Sequence, residues 1–176
     1  MILNLQKRIY TTVPILSTRN VRAGELAMEE VKYVSPTTYD ELTRLFKPQM
    51  NDVLLTKGGT TGLAKIVDFD WPFCVWVHLA VLRPNKDVHP SYLESALNSK
   101  YCYLQSQKYT HGITNRDLGL TRIRNIELLL PRKGLQEKFA KTKLKIRSIQ
   151  DTMKNSILLL DNQFNSLVQR AFRGEL

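Results

Sequence analysis

The sequence predicts an α+β fold, in which a mixed α/β domain is followed by a long C-terminal coiled-coil helix. The first 131 residues alternate short β-like runs with turns and two short helical patterns. They lack a strict β–α–β rhythm, so we do not expect a doubly wound parallel sheet. From residue 132 onward, an apolar repeat of helical period continues almost to the end of the chain. We therefore divide the chain into two domains, residues 1–131 and residues 132–176.

The elements of the first domain are predicted from alternation, helical spacing and the residues that begin or end each segment. Pro36 is followed by acidic residues and helically spaced apolar ones, which is typical of a helix start. Pro84 and Pro131 end apolar runs. In chain order we expect strands over 13–16 and 31–34, a helix over 36–46, strands over 52–57 and 64–69, a strand over 74–83, a helix over 90–107 and an apolar run over 126–130.

Gly58-Gly-Thr-Thr-Gly62 lies between two predicted strands and is the strongest hairpin signal in the chain. It is not a P-loop, because the residues needed for GxxxxGK[ST] are absent and its surroundings indicate strand–turn–strand. A glycine-rich tip that carries Lys57, Thr60 and Thr61 can approach a DNA backbone closely. The alternative is a turn that binds no ligand.

The segment Tyr109–Asp117 is dense in side chains that donate and accept hydrogen bonds. Asn and Arg pair bidentately with adenine and guanine in the major groove, and Thr can touch a thymine methyl. Asn115, Arg116 and Thr114 are therefore candidate base contacts. A loop of this composition can also be merely polar.

The C-terminal segment is predicted to be one helix over 135–173, roughly 58 Å long at 1.5 Å per residue. A seven-residue apolar repeat that continues over such a length indicates a coiled-coil seam. The seam consists of Phe139, Ile146, Ile149, Met153, Ile157, Leu160, Phe164 and Leu167. A seam this long needs a partner helix, and the chain offers no second helix of that length.

The net charge of +10 is unevenly placed, since residues 132–176 carry ten Lys and Arg against four Asp and Glu. Such a basic field attracts a polyanion, and nucleic acid is the commonest one in the cytoplasm. A solvated helix face without a partner is the other interpretation. The densest cluster of cations lies within residues 132–147.

Several functional classes find no support in the sequence. The three His residues lack metal-ligand spacing, no nucleophile elbow is present, and no glycine-rich strand–helix turn suggests a cofactor pocket. We therefore expect no catalytic residues, no metal and no cofactor. Cys74 and Cys102 fit two reduced thiols, and no apolar run is long enough to cross a membrane. By elimination we expect a cytoplasmic protein.

In their order, these segments resemble one half of the DNA-specificity (S) subunit of type I restriction–modification enzymes. The motifs that carry the resemblance are Val13-Pro-Ile-Leu-Ser-Thr-Arg-Asn-Val-Arg-Ala-Gly-Glu-Leu26, Asp52-Val-Leu-Leu-Thr-Lys-Gly-Gly-Thr-Thr-Gly62, His111-Gly-Ile-Thr-Asn-Arg-Asp-Leu118, Leu129-Leu-Pro131 with Leu135-Gln-Glu-Lys-Phe139, and Ala171-Phe-Arg-Gly-Glu-Leu176. Two positions depart from the family pattern. Asn51 stands where the family usually has Gly, and Gln136-Glu137 reverses the usual order.

The resemblance implies one target-recognition domain with one conserved-region helix, as in a half subunit or a truncated form. Such a protein is not an enzyme itself: it reads one half of a bipartite site in double-stranded DNA. The helix acts as a spacer that docks methyltransferase subunits, in a complex with restriction/translocase subunits. We expect a homodimer through the helix. The candidate DNA-binding residues are Arg19, Asn20, Arg22, Lys57, Thr60, Thr61, Lys108, Thr110, His111, Thr114, Asn115 and Arg116.

Two questions stay open at this point. The basic run 132–147 can contact DNA phosphates or an acidic face of the methyltransferase subunit. The runner-up function is a non-catalytic coiled-coil scaffold whose globular domain binds protein.

Overall fold

A computed structural model of the chain describes residues 12–175. Within that range the strands are β1 (Val13–Leu16), β2 (Val21–Arg22), β3 (Glu25–Leu26), β4 (Lys32–Val34), β5 (Val53–Thr56), β6 (Ala64–Ile66), β7 (Cys74–Val75) and β8 (Leu79–Leu82). The helices are α1 (Pro36–Thr43), α2 (Pro90–Leu97), α3 (Lys100–Tyr109), α4 (Leu120–Ile123) and α5 (Lys133–Phe172), and a 3-10 turn spans Thr18–Asn20. The predicted fold class is confirmed.

The described strands form three small sheets with the orders β4-β1-β7, β2-β3 and β6-β5-β8. Strand β1 runs antiparallel to β4 and parallel to β7. Strand β5 runs antiparallel to both of its neighbours. The predicted hairpin is therefore β5–β6, with Val53 opposite Ile66 and Leu55 opposite Ala64.

Strand β5 is buried on both faces. Because successive side chains of a strand point to opposite faces, Val53 and Leu55 pack into one apolar cluster with Leu118. Leu54 packs into a second cluster with Phe73. The hairpin thus rises from the centre of the domain, and its tip continues the most buried strand.

The prediction of one continuous strand over 74–83 is wrong. The structure has two strands there, β7 and β8, which belong to different sheets. The chain turns between them, where the N–H of Leu79 donates to the carbonyl of Trp76 at 2.9 Å. Alternation alone did not reveal this change of sheet, because both strands keep an apolar inner face.

The helix predicted over 90–107 is likewise two helices, broken at Asn98 and Ser99. The Asn98 side chain makes both of its hydrogen bonds to the backbone of Ala64, at 2.9 and 2.8 Å. The Ser99 hydroxyl accepts from the N–H of Cys102 at 3.3 Å and caps α3. Asn and Ser favour such caps over helix interiors, so the break had a local signal. The run 126–130 forms no strand, and the one-turn helix α4 was not predicted.

Asn51 has a backbone φ of 72°. This left-handed conformation is natural for Gly, and Asn is among the few other residues that tolerate it. The departure from the family's usual Gly is therefore accommodated by the same turn. Next to it, buried Asp52 accepts from the guanidinium of Arg83 at 2.8 and 2.9 Å, which raises the pKa of Arg83.

Two compact units divide the chain between Gln136 and Glu137. Helix α5 runs without a break over 40 residues, about 60 Å at 1.5 Å per residue. The predicted long helix is confirmed. No helix among residues 12–175 is long and apolar enough to cross a membrane.

Candidate nucleic-acid interface

The hairpin tip 57–62 and the loop 109–117 meet through main-chain hydrogen bonds. The N–H of Gly59 donates to the carbonyl of Arg116 at 2.8 Å. The N–H of Leu118 donates to the carbonyl of Lys57 at 2.7 Å. Gly58 and Asp117 form an antiparallel bridge between these two bonds. Two segments that the sequence singled out separately are thus one continuous surface, which we call the joined loops.

Side-chain hydrogen bonds, within the joined loops and from Gln107 on α3, also hold the two segments together. The hydroxyls of Thr61 and Thr110 share a hydrogen bond of 2.8 Å. The amide nitrogen of Gln107 donates to the carbonyl of Thr61 at 2.9 Å. Its amide oxygen accepts from the Arg116 guanidinium at 2.6 Å. Gln107 therefore contacts both segments at once, and the sequence analysis missed it.

Two glycines make this arrangement possible. Gly62 has φ +85°, and a Cβ there would overlap the hydroxyl of Ser106. Gly112 has φ +87°, and a Cβ there would overlap the carbonyl of Asn115. Both positions combine a left-handed backbone with no room for a side chain, so only Gly fits without strain.

Most of the predicted contact residues on the joined loops, and Lys108 at the end of α3 next to them, present their side chains to solvent. Lys57 and Thr110 are half-buried. Thr61 is buried and bonded within the protein, so its hydroxyl supports the surface from inside. The exposed members of the set are Thr60, Lys108, His111, Thr114, Asn115 and Arg116.

The predicted contact residues Arg19, Asn20 and Arg22 also divide into exposed and buried side chains. Arg19 and Arg22 are exposed, and Arg19 forms a 3.4 Å ion pair with Glu30. Asn20 is buried, and its amide nitrogen donates to the carbonyl of Ala27 at 2.9 Å. Its amide oxygen accepts from the N–H of Ser17 at 2.9 Å. The Asn20 side chain therefore closes the turn after β1 and is not available to a ligand.

A cleft of about 290 Å³ lies beside Arg19. Its lining includes Trp76 and His78, from the turn between β7 and β8, and Lys32. Trp76 is 52% exposed, which is high for a large aromatic ring. The carbonyl of His78 accepts from the N–H of Lys57 at 2.9 Å. This turn therefore connects the cleft to the joined loops, and the sequence analysis missed it because the segment was interpreted as uninterrupted strand.

The described residues of this surface combine cations with neutral hydrogen-bonding groups. Lys32, Lys57, Lys108 and Arg116 contribute positive charge, and Asp117 is paired with Arg122 at 3.0 Å. Among residues 12–175, no three His, Cys, Asp or Glu side chains are grouped so as to hold a metal. The arrangement is suited to hydrogen bonding and to charge neutralisation.

Helix α5 carries the predicted seam as an exposed apolar stripe. At 100° per residue, its eight members fall within about 80° of one another. Ile146, Ile157 and Leu160 are each more than half exposed. Leu144, Leu158 and Leu159 are equally exposed but point away from this stripe.

The amino-acid sequence matches a family model described as the type I restriction modification DNA specificity domain, over residues 4–164. No curated protein matches the chain significantly in sequence.

Two solved structures resemble the fold. One, from a study of complex assembly and conformational transition of the type I R-M system, has a TM-score of 0.59 and 15% identity. The match covers 94% of this chain and 40% of that chain. The other, the HsdS subunit from Thermoanaerobacter tengcongensis, has a TM-score of 0.58 and 15% identity. That match covers 81% of this chain and 37% of that chain.

The chain thus spans about 40% of the length of the first of these structures and slightly less of the second. At 15% identity the likeness concerns the fold alone. The family model, however, matches most of the chain. The predicted family is therefore confirmed: this chain belongs to the type I restriction–modification DNA specificity domain family.

Proposed function

We propose that this chain is a non-catalytic DNA-specificity subunit of a type I restriction–modification enzyme, which reads one half of a bipartite site in double-stranded DNA. Residues 1–131 would form the recognition domain, and residues 132–176 the spacer and dimerisation helix. A single observation carries the proposal. The joined loops place side chains of the types that read bases, together with cations, on one surface that main-chain hydrogen bonds hold together.

The chemistry of that surface fits duplex DNA. Asn115 and Arg116 have the side chains that recognise adenine and guanine edges. Lys57 and Lys108 can neutralise phosphates, and this fixes the position of a protein on the duplex. The proposed contact residues are Arg19, Arg22, Lys57, Thr60, Lys108, Thr110, His111, Thr114, Asn115 and Arg116, with Asn20 and Thr61 in supporting positions.

We further propose that the seam of α5 packs antiparallel against the same helix of a second copy. The exposed stripe supports this, because an apolar face of this length is stable in water only against another helix. An antiparallel pair would carry two recognition domains at opposite ends, as a bipartite site requires. Methyltransferase subunits would dock on the helix pair, and restriction/translocase subunits would join that complex in the cytoplasm.

We propose that the basic run 132–147 contacts DNA phosphates. Alternate residues of a helix lie 200° apart, so Lys141 and Lys143 lie on different sides of the seam. The cations therefore lie on both sides of the seam and would not be buried in the helix pair. The alternative is that these cations contact an acidic face of the methyltransferase subunit, and an experiment must distinguish the two.

Fluorescence anisotropy with a 30-bp duplex of random sequence tests the core of the proposal. Log affinity should fall linearly with log salt concentration, because each neutralised phosphate releases counterions. Selection from the same random pool should then enrich a short base pattern. If no salt-dependent binding occurs, while the chain captures a protein partner through its globular domain, the scaffold function replaces this one.

A further inference from the structure

Ile113 is the most exposed large apolar side chain among the described residues, with 100% of its surface accessible. It lies at the tip of the loop 111–117, between Gly112 and Thr114. A single exposed apolar residue is ordinary on a protein surface. This one differs because every residue from His111 to Arg116 is exposed and all the others except Gly112 are polar.

The backbone that presents Ile113 is closely tied. His111 and Asp117 exchange both main-chain hydrogen bonds, at 2.9 and 2.8 Å. Gly112 takes the left-handed turn directly before Ile113, against the carbonyl of Asn115. The side chain is therefore presented by a closed loop with defined hydrogen bonds at its base, which lowers the entropy cost of using it in a contact.

The pairing at the base of the loop 111–117 indicates which DNA groove the loop fits. His111 and Asp117 are paired there in antiparallel fashion, so the loop projects from two adjacent chain segments, as the tip of a two-stranded ribbon does. The major groove, about 12 Å wide, admits a two-stranded ribbon, whereas the minor groove is about 6 Å wide. In the major groove, the exposed apolar group on the base edges is the C5-methyl of thymine.

We propose that Ile113 packs on the C5-methyl of a thymine and so specifies an A·T pair beside the base pairs read by Asn115 and Arg116. The inference rests on the proposed function, since it requires that the joined loops enter duplex DNA. It assigns a specificity-determining role to an apolar residue in a surface otherwise made of polar groups.

Selection from a random pool tests this proposal without a target sequence chosen in advance. A random 30-bp duplex pool is prepared twice, once with thymine and once with uracil, which lacks only the C5-methyl. Wild-type protein should enrich a T at one position of the thymine pool, and this preference should fall about fourfold in the uracil pool. Burial of one methyl-sized group contributes roughly that factor. Preferences at neighbouring positions should be unchanged.

Variants complete the test. Ile113→Ala should show the reduced preference already in the thymine pool, with no further change in the uracil pool. Ile113→Val keeps apolar contact and should retain the difference between the pools. Circular dichroism confirms that each variant is folded, which is expected for a fully exposed position.

Three outcomes would overturn the proposal, and they are distinguishable. If wild-type protein selects a sequence equally well from both pools, Ile113 does not read a methyl group, although the proposed function stands. If Ile113→Ala loses affinity equally for both pools, Ile113 acts as a wedge and not as a methyl contact. If the wild-type protein binds neither pool, both the proposed function and this inference fail.

Discussion

The guanidinium of Arg116 donates to the amide oxygen of Gln107 at 2.6 Å, on the helix that precedes the loop. The amide nitrogen of Gln107 donates in turn to the carbonyl of Thr61 in the hairpin tip. A proposed base-reading side chain is therefore held by a residue that also fixes the neighbouring segment. Preorganisation of this kind lowers the cost of ordering a long side chain on binding.

Replacement of Gln107 should affect selectivity more than affinity. Gln107→Leu removes the acceptor for Arg116, so we expect a weaker preference at one base pair, by about 1 kcal/mol, and a similar affinity for random duplex. Selection from a random pool measures the first quantity and anisotropy the second. Gln105→Leu, on the same helix but bonded to Glu127, is the matched control and should leave the selected pattern unchanged.

The two kinds of DNA contact should separate by their salt dependence. Asn115→Ala should weaken binding to the selected half-site by about 1–3 kcal/mol and leave random duplex nearly unaffected, because a base contact is lost. Arg116→Ala should behave in the same way. Lys57→Ala should weaken both and reduce the salt slope by about one, because a phosphate contact is lost. If all three variants bind as wild type does, the joined loops are not the DNA contact.

Gly62 should tolerate no side chain. Gly62→Ala forces a Cβ into the Ser106 hydroxyl at a left-handed φ of +85°, and we expect a loss of about 2–4 kcal/mol in the free energy of unfolding. Gly59→Ala is the control, since Gly59 has φ +69° but nothing within 4 Å of a Cβ. Urea denaturation measures both losses. The additional loss of unfolding free energy in Gly62→Ala, relative to Gly59→Ala, gives the cost of the overlap with Ser106. Equal losses would contradict it.

Neighbouring residues on α5 should differ sharply in their effect on assembly. Ile157 lies in the seam and Leu158 lies outside it, yet both side chains are 59% exposed. Ile157→Gln should raise the dimer dissociation constant tenfold or more, since a buried apolar contact of about 1.5–3 kcal/mol is lost. Leu158→Gln should leave it unchanged. Sedimentation equilibrium measures both, and a wild-type chain that stays monomeric at micromolar concentration would exclude the homodimer.

The basic run on α5 gives the last prediction. Replacement of Lys141, Lys143 and Lys145 by Gln should lower affinity for any duplex without a change in the selected sequence, because phosphate contacts carry no base information. Anisotropy and pool selection measure these two effects. Unchanged DNA affinity, with failed assembly with the methyltransferase subunit, would assign the run to protein docking.

Much of the fold could be predicted because its determinants are local. The seven-residue repeat predicted α5, and glycines between two apolar runs predicted the β5–β6 hairpin. The change of sheet at Trp76 depends on which partners each strand finds, and alternation does not encode this. Asn98 is similar in kind, since its bonds to Ala64 join residues 34 apart in sequence.

The sequence singled out the two segments of the candidate site but not the hydrogen bonds that join them. Residue type drew attention to Asn20, whose side chain closes a turn instead. It gave no sign of Gln107, whose role depends on the separate positions of Thr61 and Arg116. Hydrogen-bonding residue types therefore do not separate the side chains that support a surface from those that form it.

Two main-chain bonds, Gly59–Arg116 and Leu118–Lys57, join the hairpin tip to the loop, and the main-chain pair His111–Asp117 closes the loop itself. Backbone amides are common to all residues except proline, so the exposed side chains at 113–115 can be exchanged without loss of these bonds. The side chains of the proposed recognition surface are thereby uncoupled from the main-chain bonds that hold it. Under the proposed function, a lineage or a protein engineer can change the base sequence that is read while the glycines and the scaffold stay as they are.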